Sequence, residues 1–331
     1  MPRALKNVMS SLYAISALVA LAGLSLASHA QTGAYPNRVV RIIVPTAPGG
    51  AGDMIARLVA QGLTERLGRQ VVVEARPGAG TMIGTELVVK SPPDGHTLLM
   101  GLSTLAINPA TYRKMSYDAL RDLTPITQLV VMPNAVCVHP SVPAKSVKDF
   151  IALAKARPGE VLYGSSGHGT NPHLTMELLA GMAGIRMIHV PYKSSMPGMT
   201  DLIAGHIAVM SLPMLHGIPQ VRSGRLRALG ITSASRTAAA PDIPRIAESG
   251  LPGFESVQWY GMLVPARTSQ DIVNRLYKEV AAIVSTNEAR DRFAGDGAER
   301  VVSSPEQFAA FLRAETTKWA AVAKTAGIVP E

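Results

Sequence analysis

Two segments rich in glycine and small hydroxyl residues each lie between a predicted strand and a predicted helix. The first spans residues 45–53 and the second spans residues 163–173. Glycine lets the backbone approach a ligand closely, and the free amides at the start of a helix carry partial positive charge. Both segments are therefore candidates to bind an anion. For the first segment, a tight strand-to-helix turn without a ligand is the alternative.

The order of residues in these segments excludes the common nucleotide motifs. No Gly-Lys pair follows the glycines of residues 45–53, as a P-loop requires, and the third glycine of the dinucleotide fingerprint is absent. Asp53 stands where a helix N-cap is expected, so we predict a capping role for it. Residues 77–81 are predicted to be a turn and a helix start, because their glycines miss the Rossmann spacing by one residue.

Ser166 and two histidines raise the question of catalysis. Gly164 precedes Ser166 by two residues, as in a nucleophile elbow, but His168 occupies the place of the second glycine. A secreted serine hydrolase using Ser166 is the alternative function. His168 and His173 are five residues apart, and the eight histidines show no ligand set, so we predict neither a metal nor a cofactor. We expect His173 to fix the loop or the helix start by hydrogen bonding, and His168 to face a cleft.

Polar and aromatic residues after other strands have two interpretations each. Ser103 and Thr104 could place hydroxyls at the edge of a cleft or simply cap the end of a strand. Lys193 could meet an anion, although a solvated surface lysine is the commoner case. Trp259 and Tyr260 could line a ligand pocket or pack at a boundary between lobes.

The composition is that of a folded globular protein. The chain has 331 residues, of which 47% are hydrophobic and 17% are charged, so neither disorder nor a coiled coil fits. The single cysteine, Cys137, excludes a disulfide scaffold and is expected to be a buried, inert thiol. The net charge is +9, but the basic residues are scattered and aromatics make up only 5% of the chain. This distribution argues against nucleic acid as a partner.

The first thirty residues have the pattern of a secretory signal peptide. Arg3 and Lys6 precede an uncharged apolar run, residues 14–27, and the small residues Ser28 and Ala30 flank a cleavage position. The run is shorter than the roughly 20 residues of a spanning helix, so an uncleaved anchor is the less favoured alternative. We predict cleavage after Ala30 and export of the mature chain.

Predicted strands and helices alternate twice along the mature chain. The first round places strands at 39–44, 71–73 and 97–100, and the second begins with a strand at 135–138. Such alternation predicts an α/β fold with two lobes, each built on a mainly parallel sheet flanked by helices. Ligands of open α/β sheets bind at the carboxyl ends of the strands, so the cleft between the lobes is the expected site.

The sequence resembles a known family, the Bug-type solute receptors of tripartite tricarboxylate transporters. The similarity runs from about residue 35 to residue 328. The segments that carry it are VPTAPGGAGDMIAR, PPDGHTLLMG, INPATY, LTPITQL, SSGHGTNPHL, HVPYK, GRLRALGITSASR, PDIPRIAESGLPGFE and KWAAVAKTAGI.

The resemblance implies a periplasmic binding protein of type II that is not an enzyme. It implies lobe 1 at residues 31–130 and 259–331 and lobe 2 at residues 131–258, with crossing segments near 126–138 and 255–265. The implied partners are a small organic carboxylate and the membrane subunits of the transporter; we expect a monomer that binds no nucleic acid. A solute sensor for a membrane signalling partner would share this fold.

The resemblance also implies a set of ligand-binding positions, which grip a carboxylate largely through backbone amides and small hydroxyls. Carried over position by position, these are Thr46, Pro48, Gly49, Gly50, Asp53, Ser103, Ser166, Gly167, Gly169, Thr170 and His173.

The sequence departs from the family pattern at two positions and in one segment. Thr46 replaces a usual aromatic residue and Ser194 a usual glycine, and residues 209–213 lack the usual Phe-Asp pair. If that acid faced the ligand, its loss favours an apolar or aromatic acid over an amine-bearing one. Met210, Met214 and Leu215 would then contact the apolar body of the ligand.

Overall fold

Strands and helices alternate along the part of the chain that the computed structural model describes, residues 35–295 and 297–330. The predicted signal peptide, residues 1–30, lies outside these residues. The ten strands of the described part are β1 (Val40–Val44), β2 (Val71–Ala75), β3 (Thr97–Leu102), β4 (Leu123–Val138), β5 (Leu162–Ser165), β6 (Ile188–Pro191), β7 (Val209–Pro213), β8 (Arg227–Ile231), β9 (Val257–Pro265) and β10 (Glu299–Arg300). Its eleven helices are α1 (Ala51–Leu67), α2 (Met82–Val89), α3 (Thr104–Thr111), α4 (Ala119–Asp122), α5 (Val147–Ala156), α6 (Asn171–Ala183), α7 (Ser195–Ala204), α8 (Met214–Arg222), α9 (Gln270–Val284), α10 (Asn287–Gly295) and α11 (Pro305–Thr325).

The strands form one continuous sheet. Its order is β2-β1-β3-β9-β4-β7-β5-β6, and both β8 and β10 also pair with β4. β3 is buried at every position and β1 at all but one, as expected for strands that helices cover on both faces. The predicted α/β class is confirmed.

Strand β4 belongs to two parts of this sheet. Between Leu123 and Pro133 it pairs with β9, and between Asn134 and Val138 it pairs with β7 and β8. We call β1, β2, β3, β9, β10 and the beginning of β4 the first half of the sheet. The second half contains β5, β6, β7, β8 and the end of β4. Arg38–Glu331 is nevertheless one compact unit by its contacts.

The sequence predicted only the end of β4 and did not predict β9 as a strand. Two prolines and several polar residues interrupt the apolar pattern of β4 between Leu123 and Pro133. The register shifts between Pro125 and Thr127, where the pairing of β4 with β9 is irregular. Such an irregularity accommodates a residue without an N–H group, so the strand continues past the proline.

Most strands of each half run in one direction. β1, β2 and β3 are parallel to one another, and so are β5, β6 and β7. Every antiparallel pair involves β4 or β9. Of these two strands only β4 runs through both halves, and the antiparallel direction of β4 and β9 was not predicted.

Helix ends follow local capping chemistry. Ser304 forms a capping box with Gln307 at the start of α11, and Gly68 ends α1 with φ +65°. The turn predicted at 77–81 is confirmed as a 3₁₀ turn that precedes α2. Helices α3 and α8 were not predicted, because Pro109 and Pro219 lie inside them.

The buried side chains form separate cores on the two halves. Trp259 lies in the core of the first half, with its ring edge-on to Phe308 at 5.5 Å and to Phe311 at 5.8 Å. Cys137 lies in a core of the second half, and burial raises the pKa of its thiol to about 12. The prediction of a buried, unreactive thiol is confirmed. None of the helices in the described ranges combines the length and apolarity that crossing a bilayer requires.

Gly261 of β9 allows helix α11 to pack closely on the sheet. Gly101 of β3 lies opposite Gly261 of β9 in the antiparallel register. A Cβ on Gly261 would lie 2.6 Å from Phe308 Cε1 and 3.0 Å from the carbonyl oxygen of Thr127. Because neither the ring nor the backbone can yield freely, this position requires glycine.

We expect Gly261→Ala to lower the free energy of unfolding by about 1–3 kcal/mol through overpacking. Gly181→Ala is the matched control, since a Cβ there would meet only Thr325 Cγ2 at 3.8 Å. Because Gly181 lies in α6, its substitution should instead stabilise by up to about 1 kcal/mol. Urea denaturation measures both, and equal stabilities of the two variants would contradict the packing argument.

Candidate ligand-binding site

The loop between β1 and α1 presents a helix start to solvent. Pro48, Gly49 and Gly50 are exposed, and Gly49 has φ +81°. Gly50 is the N-cap of α1 and provides no side-chain cap. The first amides of α1 therefore lack a side-chain partner at the N-cap and can donate to an anion.

Asp53 stabilises this loop from inside the first turn of α1, so its prediction as the N-cap was wrong. The glycine at position 50 already has the extended backbone of a cap, and the helix begins at Ala51. Asp53 Oδ2 accepts hydrogen bonds from Gly49 N at 3.0 Å and from Arg57 Nε at 2.9 Å. The bond from Arg57, together with that from Gly49, holds the pKa of this buried carboxyl below its usual value. The charged Asp53 therefore fixes the loop.

A cavity of about 190 Å³ lies beside this loop and reaches both halves of the sheet. Its wall is partly apolar and partly polar, with no Asp, Glu, Lys or Arg among the lining residues. These are Gly49, Gly50, Ala51, Met54, Met132, Asn134, Pro213, Leu215, His216, Gln258 and Tyr260. Of the predicted ligand-binding residues, Gly49 and Gly50 are in this wall. A larger cavity of about 370 Å³ involves α3 and α11, but no residue of either glycine-rich segment lines it.

The neighbouring aromatic residues Trp259 and Tyr260 of β9 have different surroundings. Trp259 is fully buried in the core, while Tyr260 lines the cavity. Successive side chains of a strand point to opposite faces, which explains the division. Tyr260 also packs on α1, since a Cβ on Gly52 would lie 3.2 Å from Tyr260 Cε1 and 3.6 Å from Thr46 Oγ1. Thr46 therefore packs beside this ring.

The second glycine-rich segment is tied together by its own hydrogen bonds. Ser165 Oγ accepts from Gly167 N at 3.1 Å, and Thr170 Oγ1 donates to Gly167 O at 2.7 Å. Gly169 N donates to His173 Nδ1 at 3.1 Å, which is the loop-fixing hydrogen bond predicted for His173. A Cβ on Gly169 would lie 3.1 Å from Thr111 Cβ, so this segment lies against α3.

A stack of neutral rings supports the second segment. His173 and His189 stack with centroids 3.9 Å apart, and His189 stacks on Tyr163 at 4.9 Å. His189 Nε2 lies 2.6 Å from Ser165 Oγ. Burial, and then the neighbouring histidines, lower the pKa of His173 to about 3 and that of His189 to about 4. Both rings are therefore uncharged at neutral pH.

The serine nearest a histidine is Ser165 rather than Ser166. Ser165 Oγ is held between His189 and the backbone of Gly167. The half-buried Ser166 forms no such pair with a histidine among the described residues. The geometry gives the hydrolase alternative no nucleophile–base pair at Ser166.

A buried chain of amides connects the second segment to the cavity wall. Asn134 Nδ2 donates to Asn171 Oδ1 at 2.9 Å, and Asn171 Nδ2 donates to the carbonyl oxygen of Val257 at 3.3 Å. The backbone N–H of Asn134 donates to Thr232 Oγ1 at 2.8 Å. These residues lie where β4 changes partners and where β9 begins, so hydrogen bonds between polar groups connect the two halves at their junction.

Several of the predicted ligand-binding residues do not line this cavity. Ser103 is buried as the N-cap of α3, and its carbonyl oxygen accepts from Ala106 N and Ile107 N. Ser166, Gly167, Gly169, Thr170 and His173 belong to the second segment and do not line the cavity.

The structure places Met210, Leu212 and Met214 in a core of the second half rather than in the cavity wall. A Cβ on Gly217 would lie 3.3 Å from Leu212 Cβ, so Leu212 packs against α8. The preference for an apolar or aromatic acid stays a prediction. Leu215 does line the cavity, as predicted.

The sequence reasoning missed most of the cavity wall, notably Met54, Met132, Asn134 and His216. Asn134 could have been found, because it is a lone amide in an apolar run. Lys193 is exposed, as expected for a surface lysine. Among the described residues no cluster of histidine, cysteine or acidic side chains could hold a metal ion.

A mixed α/β sheet in two halves, with a cavity beside a helix start at their junction, defines the class of solute-binding proteins. The receptor family of tripartite tricarboxylate transporters matches residues 55–328. Protein BugT of Bordetella pertussis is 35% identical over 323 residues, which cover 97% of this chain and 98% of BugT. The chain therefore belongs to the tripartite tricarboxylate transporter receptor family, and the resemblance drawn from sequence is confirmed.

Solved structures agree with this family and with a type II periplasmic-binding-protein fold. Rpa4515 of R. palustris with adipate is 36% identical, has a TM-score of 0.79, and is matched over 90% of this chain and 100% of its own. MatC of Rhodopseudomonas palustris with bound malate is 27% identical, has a TM-score of 0.73, and is matched over 87% and 100%. The family consists of periplasmic receptors that bind solutes, so the chain is not an enzyme.

The ring stack predicts acid sensitivity of stability. A histidine whose folded pKa lies below its unfolded value of about 6.5 binds its proton first in the unfolded chain. The contribution of the neutral histidines to the free energy of unfolding is therefore fully present above pH 6.5 and decreases as the pH falls toward 4. Between pH 7 and pH 4, wild type should lose about 2 kcal/mol more than His189→Gln, whose amide cannot be protonated.

Urea denaturation at several pH values measures this difference. His206→Gln is the control, because His206 is exposed and lies outside the stack. This control should keep the acid loss of wild type. An unchanged acid loss in His189→Gln would show that the stack does not depend on an uncharged His189.

Proposed function

We propose that this chain captures a small organic carboxylate in the cavity between the two halves of the sheet and delivers it to the membrane subunits of a tripartite tricarboxylate transporter. The observation that carries the proposal is the exposed start of α1, whose Gly49 and Gly50 line that cavity. The adipate and malate held by solved relatives support a carboxylate as the ligand.

The binding chemistry would use dipoles rather than a cationic side chain. The cavity wall has no lysine or arginine, and Arg57 is already paired with Asp53. The amides and the positive end of the α1 dipole would therefore meet the carboxylate. A volume of about 190 Å³ lies below the range of roughly 300–1,000 Å³ typical of pockets for drug-sized molecules, which favours a small acid.

Two lobes would close on this ligand. We assign residues 31–130 and 259–331 to lobe 1 and residues 131–258 to lobe 2. The change of partners along β4 after Pro133 supports a hinge there, and β9 begins with Val257 opposite Pro133. Hinges use a few such terminal positions.

Closure would bring the second segment to the ligand. Its proposed contacts are Ser166, Gly167, Gly169 and Thr170, and His173 would hold their loop in place. Thr46, Pro48 and Asp53 would act from the first loop, and Ser103 from the end of β3. The receptor would work as a monomer in the periplasm after removal of residues 1–30.

Ligand binding by residues 31–331 tests the proposal. Thermal shift and calorimetry would compare succinate, adipate, malate, citrate and benzoate with the uncharged diamide of adipate. A carboxylate at 100–1,000 times its Kd should stabilise the fold by roughly 3–4 kcal/mol, seen as a rise of several degrees in Tm. The diamide should give none. Folded protein that responds to no carboxylate would refute the proposal.

Two glycine substitutions separate binding from stability. Gly49 and Gly68 have φ +81° and +65° at opposite ends of α1, and a Cβ on either would meet nothing within 4 Å. Gly49→Ala and Gly68→Ala should each cost about 1 kcal/mol of stability from the same backbone strain. Only Gly49→Ala should weaken carboxylate binding, by about 5–20-fold, because it distorts the loop that presents the amides. Equal affinities in the two variants would count against the α1 start as the binding element.

A further inference from the structure

Two buried polar atoms in the cavity wall have no hydrogen-bond partner among the described residues. They are Asn134 Oδ1 and His216 Nδ1. Asn134 is only 1% exposed. A buried polar group without a partner costs free energy, so a ligand that supplies one gains affinity.

The orientation of the Asn134 amide is fixed by its neighbours. The carbonyl oxygen of Val257 can only accept, so Asn171 must turn its Nδ2 toward it. Asn171 then offers Oδ1 to Asn134, which must answer with Nδ2. The backbone N–H and carbonyl of Asn134 are both bonded to Thr232. What remains of Asn134 is the acceptor Oδ1, which has no partner within the described part of the chain, and the second hydrogen of Nδ2.

The unpartnered Oδ1 favours some ligand groups over others. An ionised carboxylate has only acceptors, so it could accept the second Nδ2 hydrogen but would leave Oδ1 without a partner. An ammonium group can donate, but the wall has no acidic side chain to balance its charge. A hydroxyl donates without a charge.

His216, whose Nδ1 also has no partner among the residues that the structure describes, likewise favours a hydroxyl group on the ligand. Burial lowers the pKa of His216, so the ring is neutral at pH 7. In a neutral imidazole, Nδ1 either donates or accepts according to the tautomer. A hydroxyl can satisfy either tautomer, because it carries both a donor and acceptor lone pairs.

We propose that this receptor selects hydroxycarboxylates over the corresponding unsubstituted acids, with Asn134 Oδ1 as the specificity-determining acceptor. The proposal rests on the proposed capture of a carboxylate at the same cavity. The α1 start would hold the carboxylate, and the hydroxyl on the carbon body would donate to Asn134. Met54, Met132 and Leu215 would contact the remaining methylene groups.

Calorimetry on wild-type residues 31–331 with acids that differ by one group provides the test. The pairs are malate with succinate, 2-hydroxyadipate with adipate, and 3-hydroxybutyrate with butyrate, and aspartate is the amino counterpart of malate. We expect at least one hydroxylated acid to bind about 10–100-fold more tightly than its unsubstituted partner. Malate should also bind more tightly than aspartate.

For each variant, the measured quantity is the ratio of the affinities for the hydroxylated and the unsubstituted acid of a pair. A general loss of affinity caused by damage to the cavity affects both acids and therefore cancels in this ratio. Asn134→Leu should reduce the hydroxyl preference to about 1–3-fold, whereas Asn274→Leu, the same substitution at an exposed position of α9 outside the cavity wall, should keep it. Should Asn134→Leu fail to fold, Asn134→Ser, which withdraws the amide from the wall, should lose the preference in the same way.

The outcomes separate the two proposals. Equal affinities within every pair, or tightest binding of aspartate, would overturn hydroxyl selection and leave carboxylate capture standing. A preference that persists in Asn134→Leu would overturn the role of Asn134. Folded protein that binds no acid at all would overturn both.

Discussion

The backbone hydrogen bonds of β4 are the constraint on which the rest of the molecule depends, because this one strand belongs to both halves of the sheet. Leu123 to Pro133 completes the first half with β9, and Asn134 to Val138 completes the second with β7 and β8. A cavity between the halves must therefore lie beside the point where β4 changes partners. Met132 and Asn134, on either side of that point, are both in its wall.

The polar junction and the exposed helix start have complementary roles at this cavity. The start of α1 supplies amide donors and partial positive charge, while the junction supplies an acceptor at Asn134. Neither element uses a lysine or arginine in the wall. Dipoles held by a folded backbone are already oriented, so a carboxylate bound there as proposed would cost little conformational entropy.

The parts of this arrangement that the sequence could predict are those encoded by neighbouring residues. The glycines of residues 45–50, the strand β1 and the capping box at Ser304 are local signals, and the structure contains all three elements. The length of β4 was missed because pairing with β9 overrides its prolines. The direction of Leu212 likewise depends on tertiary contacts, because it packs against α8. Wall residues come from distant segments, so only tertiary structure brings them together.

The charges around the cavity are fixed across neutral pH, and this gives the site a constant electrostatic character. The Arg57 bond keeps the pKa of Asp53 low, while burial lowers the pKa of His216 and raises that of Tyr260 to about 12. The His189 ring under the second segment stays neutral because its pKa is about 4. Asp53, His189 and Tyr260 therefore keep their charge state between pH 6 and pH 8, and burial favours the neutral form of His216. A carboxylate bound there as proposed would consequently meet the same amides and the same acceptor at pH 7 and at pH 8.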